Sequence, residues 1–182
     1  ILGINIAVSC AWCFPRFNLI YGLFKNGRAF CGNVRAEWVD HNGHMNLAYY
    51  VLAFDLATDK FFQGFGLDQK YRDENQLSTF AGSVHVHYKS ELYLGDEYKI
   101  NCYLLGHDRK RIRHMNRMYR ISGGEEVALM ESLQLHVDLS ARRVCEMPDE
   151  LFSSLEKLQS VQGVIEIPPE IGRGIEKPAI EG

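Results

Sequence analysis

The chain has 182 residues, of which 46% are hydrophobic and 24% are charged, a composition typical of one globular domain with short appendages. A net charge of −3 argues against a general nucleic-acid binder, because such proteins need an excess of basic residues. The five cysteines are an odd number without tight spacing, which favours a reducing, cytoplasmic compartment over a disulfide framework.

Residues 1–28 are predicted to be an N-terminal appendage whose role the sequence does not indicate. Its first 14 residues are apolar but too short for a membrane span, and they lack the basic region and cleavage site of a signal peptide. Cys10 and Cys13 have CxxC spacing, but they have neither a partner pair nor a surrounding βαβ pattern. We interpret them as ordinary thiols and expect no membrane association.

The central feature is a polar heptad, Asp40–Asn46, followed by an apolar run that continues to Phe65. A first strand is predicted before it, over residues 30–39, from alternation of apolar and polar residues. Asn46 suits a helix N-cap, and Gly64 suits the helix end. A helix that is apolar on almost every side is buried. The sequence therefore predicts a central buried helix of about five turns.

Residues 67–75 are polar and predict a short helix or loop, and four strand-like segments follow. The predicted strands are residues 79–92, 97–105, 111–121 and 127–137. The last one alternates, which predicts that Val127, Leu129, Leu133, Leu135 and Val137 face inward.

Pro148 predicts the start of a final helix, and residues 161–182 are punctuated by Gly and Pro as in a tail or linker. The main domain is therefore placed at residues 29–160. Successive strands with short turns favour an antiparallel sheet that curls around the central helix. The predicted fold class is α+β.

This order, with the D-x-N-x-H-x-N spacing of residues 40–46, resembles the hotdog-fold thioesterases, and more narrowly their 4-hydroxybenzoyl-CoA thioesterase-like group. The resemblance covers residues 28–158. The runs VRAEWVDHNGHMN, YYVLAFDLATD, LLGHDRKRIRHM and LQLHVDLS resemble betainyl-CoA thioesterases, which occur alone or fused to carnitine dehydrogenases. The resemblance implies an acyl-CoA substrate, no cofactor, and a homodimer or homotetramer.

The same spacing is similar to that of plant acyl-carrier-protein thioesterases, which implies catalytic roles for Asp40, Asn42 and His44. Those relatives also have a glutamate after the second strand, and Glu91 lies in a comparable context. Asp40 can act as base or nucleophile, while His44 can orient water, polarise the carbonyl or protonate the leaving thiolate.

Further residues are predicted to bind substrate. Gly43 lets backbone approach a ligand, and the helix start can donate N–H groups to an oxyanion. The predicted substrate-binding residues are Gly43, Asn46, Tyr49, Arg109 and Lys110, the last two as phosphate contacts at a turn. Alternatively, the heptad is only turn chemistry, Asn46 only a cap, and the basic stretch that includes Arg111, Arg113 and Arg117 a solvated hairpin or subunit contact.

One other pattern could indicate a metal site. His85 and His87 alternate on one strand, but without a clear third ligand we expect no metal site. The main functional hypothesis is hydrolysis of a small acyl-CoA, which includes betainyl-CoA as a candidate. The alternatives are a non-catalytic acyl-CoA-binding or scaffolding domain, and a dehydratase of the same fold, against which the heptad spacing argues.

Overall fold

The structure is a computed structural model that describes residues 28–174. Apart from Arg28, the predicted appendage lies outside the described residues, and so do Cys10 and Cys13. The elements in chain order are β1 (Arg28–Asn33), α1 (Leu47–Gln63), α2 (Gln69–Asn75), β2 (Leu77–Tyr88), β3 (Glu97–His107), β4 (Arg111–Arg120), β5 (Glu126–Asp138), β6 (Arg143–Val144) and α3 (Asp149–Gln162).

The strands form one antiparallel sheet in the order β1-β3-β4-β5-β2, with the short β6 paired to β5. The strand that follows the central helix therefore pairs with β5, the last long strand, and not with β3, its successor in sequence. As a result β2 is an edge strand, and the loop after it crosses to the opposite side of the sheet. This loop, residues 89–96, reaches the start of α1.

The central helix α1 packs on the sheet through one face. Its buried side chains are Tyr50, Ala53, Phe54, Ala57, Thr58, Phe61 and Phe62. Full burial of an aromatic or large aliphatic side chain contributes about 1.5–3 kcal/mol, so this face stabilises the helix more than any intrinsic propensity does. Asn116 of β4 fixes the contact, because its amide donates to Phe54 O at 3.2 Å and to Thr58 Oγ1 at 2.8 Å.

The opposite face of α1 is exposed, so the prediction that the helix is buried on almost every side was wrong. Leu47, Val51 and Leu52 are 62%, 38% and 41% exposed, although they are apolar. One sheet can cover only one side of a helix, and no other described element covers this one. Val84 and Tyr88, on the edge strand β2, are also exposed, and the Tyr88 hydroxyl donates to Leu47 O at 3.4 Å. We call these five residues the apolar face.

The first strand is shorter than predicted. It ends at Asn33, and residues 36–38 form a turn of 3₁₀ helix instead of continuing the strand. The reason is the partner strand: Asn33 pairs with Glu97, where β3 begins, so the next residues have no strand to pair with. The 3₁₀ turn is closed by the Trp38 amide, which donates to Arg35 O at 3.0 Å.

The prediction that Leu129 and Leu133 of β5 face the central helix was wrong. Met130 pairs with Asn116, and Ala128 with Met118, so the even-numbered residues of β5 share the helix-facing side of β4. Leu129, Leu133 and Leu135 therefore lie on the outer face of the sheet, whereas Val127, beside a shift in register, packs in the core with the residues of α1. Leu129 is nevertheless fully buried. Both faces of β5 are covered, so alternation could not show which of them met the helix.

The outer face is covered by the C-terminal segment, residues 164–174, which was predicted to be part of a tail. Glu131 Oε2 accepts a hydrogen bond from the Gly172 amide at 2.6 Å, and Lys89 Nζ lies 2.9 Å from Glu170 Oε1. The predicted domain end at residue 160 also falls inside α3, which continues to Gln162. The described part of the predicted tail therefore packs against the folded domain.

Two arginines of the basic stretch form ion pairs with glutamates on this outer face. Arg113 lies 2.6 Å from Glu131, and Arg117 lies 2.5 Å from Glu126. Their intramolecular partners are acidic residues of the neighbouring strand β5. Among residues 28–174, no helix is long and apolar enough to span a membrane.

Candidate active site

The polar heptad folds into a tight loop that leads into α1. The Asp40 amide donates to His44 O at 3.1 Å, and the Gly43 amide donates to Asp40 O at 3.0 Å. Gly43 has a φ of +83°, a left-handed conformation that other residues adopt at a cost, and open space surrounds the position of its missing Cβ. Glycine is thus required here by backbone geometry and not by crowding.

The carboxylate of Asp40 is held by two donors of the same loop. Oδ1 accepts the Asn42 amide at 2.8 Å, and Oδ2 accepts the Asn46 side-chain amide at 3.2 Å. The backbone hydrogen bond from Asn42 is the main cause that lowers the pKa of Asp40, and the Asn46 side chain and the nearby His44 ring add to it against partial desolvation. Asp40 is therefore an ionised, half-buried carboxylate in the loop that leads into α1.

Asn46 caps the helix and contacts Asp40 at the same time. Its side-chain oxygen accepts the Ala48 amide at 3.0 Å, which is the predicted N-cap interaction, while its nitrogen donates to Asp40. The amide group can serve both contacts because it has an acceptor and a donor, while the substrate-binding role of Asn46 stays a prediction.

His44 and Glu91 come together although 46 residues separate them. His44 Nε2 lies 3.7 Å from Glu91 Oε1, an ion-pair rather than a hydrogen-bond distance, and His44 Nδ1 lies 3.3 Å from Met45 O. Each ring nitrogen therefore lies near one oxygen acceptor. The structure therefore brings Asp40, Asn42, His44 and Glu91 to one place.

Two further residues at this place were not singled out from the sequence. The Tyr93 hydroxyl donates to Glu91 Oε2 at 2.5 Å, and Arg120 Nη2 donates to the Glu91 carbonyl oxygen. Tyr93 is only two positions from Glu91, which was an available signal. Arg120 is at the far end of β4, and only the pairing of β4 with β3 brings it here.

Tyr49 lies in the first turn of α1, where it packs against the loop that precedes the heptad. Its ring stacks on Trp38 with centroids 5.3 Å apart and an interplanar angle of 12°, and the Arg35 guanidinium lies over the Trp38 ring. This stack holds the loop on the helix. Tyr49 is half-buried, and its role in substrate binding stays a prediction.

The structure does not bring Arg109 and Lys110 to the other site residues of the same chain. They follow β3 at its turn into β4, while Arg120, which contacts Glu91, lies at the opposite end of β4. Ten residues of strand separate the two ends by about 30 Å. Arg109 contacts α3 instead: it lies 2.5 Å from Asp149 Oδ1, and its guanidinium lies 4.1 Å from the centre of the Phe152 ring.

His85 and His87 lie on the outer face of the sheet and away from Asp40. His85 Nδ1 is 3.0 Å from Arg173 O of the C-terminal segment. Within residues 28–174, no group of three or more His, Cys, Asp or Glu side chains is arranged to hold a metal ion.

The family model of the thioesterase-like superfamily matches residues 34–155, which include the heptad, α1 and all four long strands. The chain belongs to the thioesterase-like superfamily. The predicted α+β hotdog fold, a curled antiparallel sheet on one long helix, is confirmed, and so is the prediction of a thioester hydrolase.

Two relatives illustrate the sequence similarity. The chain is 35% identical over 147 residues to the betainyl-CoA thioesterase of Pseudomonas aeruginosa, with 81% of this chain and 92% of that protein covered. It is 34% identical to the L-carnitine dehydrogenase/betainyl-CoA thioesterase of Agrobacterium fabrum, with 79% of this chain but 29% of that protein covered.

Two solved structures illustrate the similarity of fold. A Staphylococcus aureus protein in complex with CoA superposes with a TM-score of 0.80 at 26% identity, covering 86% of this chain and 98% of that one. A putative thioesterase from Pseudomonas putida superposes with a TM-score of 0.70 at 33% identity, covering 82% and 96%.

Proposed function

We propose that this thioester hydrolase cleaves a small acyl-CoA to the free acid and CoA, and that Asp40 is the base or nucleophile. The supporting observation is the Asp40 carboxylate, which Asn42 and Asn46 hold in its ionised form beside His44 at the start of α1. An ionised carboxylate can accept a proton or attack a carbonyl, whereas a protonated one can do neither.

In the general-base route, Asp40 accepts a proton from water while the water oxygen attacks the thioester carbon. The C–S bond of the resulting tetrahedral adduct then breaks, and His44 gives a proton to the thiolate. In the nucleophilic route, an Asp40 oxygen attacks the thioester carbon, the C–S bond breaks, and the leaving thiolate takes a proton from His44. Water then cleaves the resulting anhydride to the free acid and the Asp40 carboxylate, and the proton released returns to His44. Either route consumes one water and releases one acid and one thiol. Single turnover in ¹⁸O-water tests the nucleophilic route, because label recovered in Asp40 requires the anhydride.

The oxyanion needs a donor that is not already engaged. The Ala48 and Tyr49 amides are taken by Asn46 Oδ1 and Asn46 O, at 3.0 Å each. We therefore assign this role to the Leu47 amide, the first of α1, where the helix dipole also favours negative charge.

The active form is proposed to be a homodimer, formed through the apolar face and the free edge of β2. Residues 80–84 of this edge are exposed, and an unpaired strand edge is a template for another strand. A second copy would extend the sheet across β2 and cover Leu47, Val51 and Leu52. In this arrangement the partner's Arg109 and Lys110 would contact the CoA phosphates. Arg109 and Lys110 of the same chain lie too far from the site to do so.

The acyl group is proposed to be small and of the betainyl type. The supporting observation is the similarity to the Pseudomonas aeruginosa betainyl-CoA thioesterase, which extends over 92% of that protein. Trp38, a candidate for binding a quaternary ammonium, is 7% exposed and already stacked between Tyr49 and Arg35. The Trp38 ring therefore supports the wall of the site, and its faces are not open to bind a quaternary ammonium group directly.

The test is a thiol-release assay with a panel of acyl-CoAs that includes betainyl-CoA. We expect turnover by the wild type and a loss of two or more orders of magnitude in Asp40→Asn and Asp40→Ala. Asp59→Asn, an exposed carboxylate on α1, is the matched control. Equal background rates in wild type and Asp40→Asn would favour the acyl-CoA-binding alternative, and crotonyl-CoA hydration would favour the dehydratase.

A further inference from the structure

Arg120 contacts the loop of residues 89–96, which carries Glu91, in addition to the loop's hydrogen bonds to Val34, Met45 and Tyr50. The guanidinium of Arg120 donates through Nη2 to the Glu91 carbonyl oxygen, and its Nε lies 3.3 Å from Asp96 Oδ2. Its Nη1 lies 3.2 Å from Glu125 Oε1. The Arg120 side chain is 21% exposed, so it reaches these groups from a largely buried position.

The partners of Arg120 themselves hold the loop on both sides of Glu91. Glu125 Oε1 accepts the Ser90 hydroxyl at 2.9 Å, and Asp96 Oδ2 accepts the Tyr93 amide at 3.0 Å. Arg120 thus fixes the loop backbone directly at residue 91 and indirectly at residues 90 and 93. Lysine could not replace it, because a single ammonium group lacks the planar fork that reaches three partners at once.

The side chain of Glu91 needs a separate constraint, because it is 55% exposed. The constraint is the Tyr93 hydroxyl, which donates to Oε2 at 2.5 Å and leaves Oε1 directed at His44 Nε2. The carboxylate raises the pKa of the Tyr93 phenol, mainly through this hydrogen bond, so the phenol remains a donor.

We propose that Arg120 and Tyr93 are positioning residues that act through Glu91. Arg120 sets the backbone of the loop, Tyr93 sets the rotamer of the carboxylate, and together they keep Oε1 facing the His44 ring. This inference rests on the proposed function, in which His44 serves the thioester. Neither residue touches the reacting atoms, so each should affect kcat more than KM.

The test is a double-mutant cycle on kcat with betainyl-CoA or the best substrate of the panel. We expect Tyr93→Phe and Arg120→Met each to lower kcat roughly 10- to 100-fold, the loss typical of a displaced catalytic group, with KM within about twofold. In a Glu91→Gln background, either change should lower kcat less than about twofold further, because its route to the reaction is already removed. Arg120→Lys should behave as Arg120→Met.

Two variants serve as matched controls. Arg111→Met removes an arginine at the other end of β4, which pairs with Asp108 in the same turn, and Tyr103→Phe removes a hydroxyl from β3. Both should retain wild-type kcat. If Arg120→Met unfolds, Tyr93→Phe carries the test, since Tyr93 is 48% exposed and the change removes one oxygen.

The outcomes separate this inference from the proposed function. Losses that multiply in the Glu91→Gln background would overturn the positioning role, as would wild-type kcat in Tyr93→Phe. If Glu91→Gln turns over normally while Asp40→Asn is inactive, the proposed function stands and this inference is wrong. If wild type releases no thiol from any acyl-CoA, both are wrong.

Discussion

The backbone amide of Met45 donates a 2.7 Å hydrogen bond to the carbonyl oxygen of Leu92. Met45 follows His44 in the heptad loop, and Leu92 follows Glu91 in the loop after β2. This bond therefore aligns the two segments whose neighbouring side chains, His44 and Glu91, approach to 3.7 Å. Tyr50 of α1 strengthens the alignment, because its hydroxyl oxygen accepts the Leu92 amide at 3.0 Å.

The Asn46 amide should influence both stability and the ionisation of Asp40. Asn46→Asp keeps an oxygen for the Ala48 amide but places a second carboxylate beside Asp40, which raises the pKa of Asp40. Since Asp40 must be ionised, acidification should abolish the activity of Asn46→Asp at a higher pH than it abolishes that of the wild type. The measurement is the acid limb of the kcat/KM profile.

Two variants complete this test. Asn46→Ser retains the cap without adding charge, so its acid limb should lie closer to that of the wild type. Asn46→Ala removes the cap and should lower stability by about 1 kcal/mol in thermal or urea unfolding. An acid limb of Asn46→Asp at the wild-type position would show that Asp40 is not the ionising group.

A charge on the apolar face should separate the proposed dimer. Val84→Lys places an ammonium group on the edge of β2, where a second sheet would pair, and desolvating it would cost several kcal/mol. We expect a monomer by light scattering or sedimentation, with loss of thioesterase activity. Val164→Lys, at a fully exposed position just after α3, is the control. A wild type that is monomeric at working concentration would contradict the prediction.

Substitution of Arg109 tests whether this residue binds phosphate or only supports α3. If the partner's Arg109 binds CoA, Arg109→Met should raise KM more than it lowers kcat. Its exposed contacts to Asp149 and Phe152 contribute at most about 1 kcal/mol each, so the melting temperature should change little. Asp149→Asn breaks the same ion pair without removing the arginine and should leave KM unchanged. An unchanged KM in Arg109→Met would exclude it from the site.

His114 should make the protein sensitive to acid. It is fully buried beside Phe61 and Phe62, and burial lowers its pKa to about 4 from an ordinary 6.5, against a smaller effect of Asn116. As the pH falls, His114 takes up its proton in the unfolded chain before it does so in the folded protein. The free energy of unfolding is therefore unaffected by His114 above pH 6.5 and decreases as the pH drops towards 4. The loss is on the order of 3 kcal/mol.

His114→Leu removes the titrating ring at similar volume and should flatten the decline in unfolding free energy between pH 6.5 and 4. His136, also buried with a lowered pKa, should leave a residual slope. His85→Gln, on the outer face, is the control and should keep the full slope. An equally steep decline in His114→Leu would assign the acid sensitivity to other groups.

The sequence by itself determined the local structure and the family. The heptad, the Asn46 cap, the apolar helix and the successive strands are local patterns, and each is set by neighbours within a few residues of the chain. The spacing that carries Asp40, Asn42 and His44 is local for the same reason. These features were accessible because short-range hydrogen bonding and periodicity decide them.

Only the tertiary structure decided which distant residues meet. The pairing of β2 with β5 leaves the loop of Glu91 at the start of α1, and the register of β4 brings Arg120 to that loop. The same packing covers both faces of β5, which made its alternation uninformative. Strand order and register come from burying whole faces of the sheet at once, and no window of sequence contains that information.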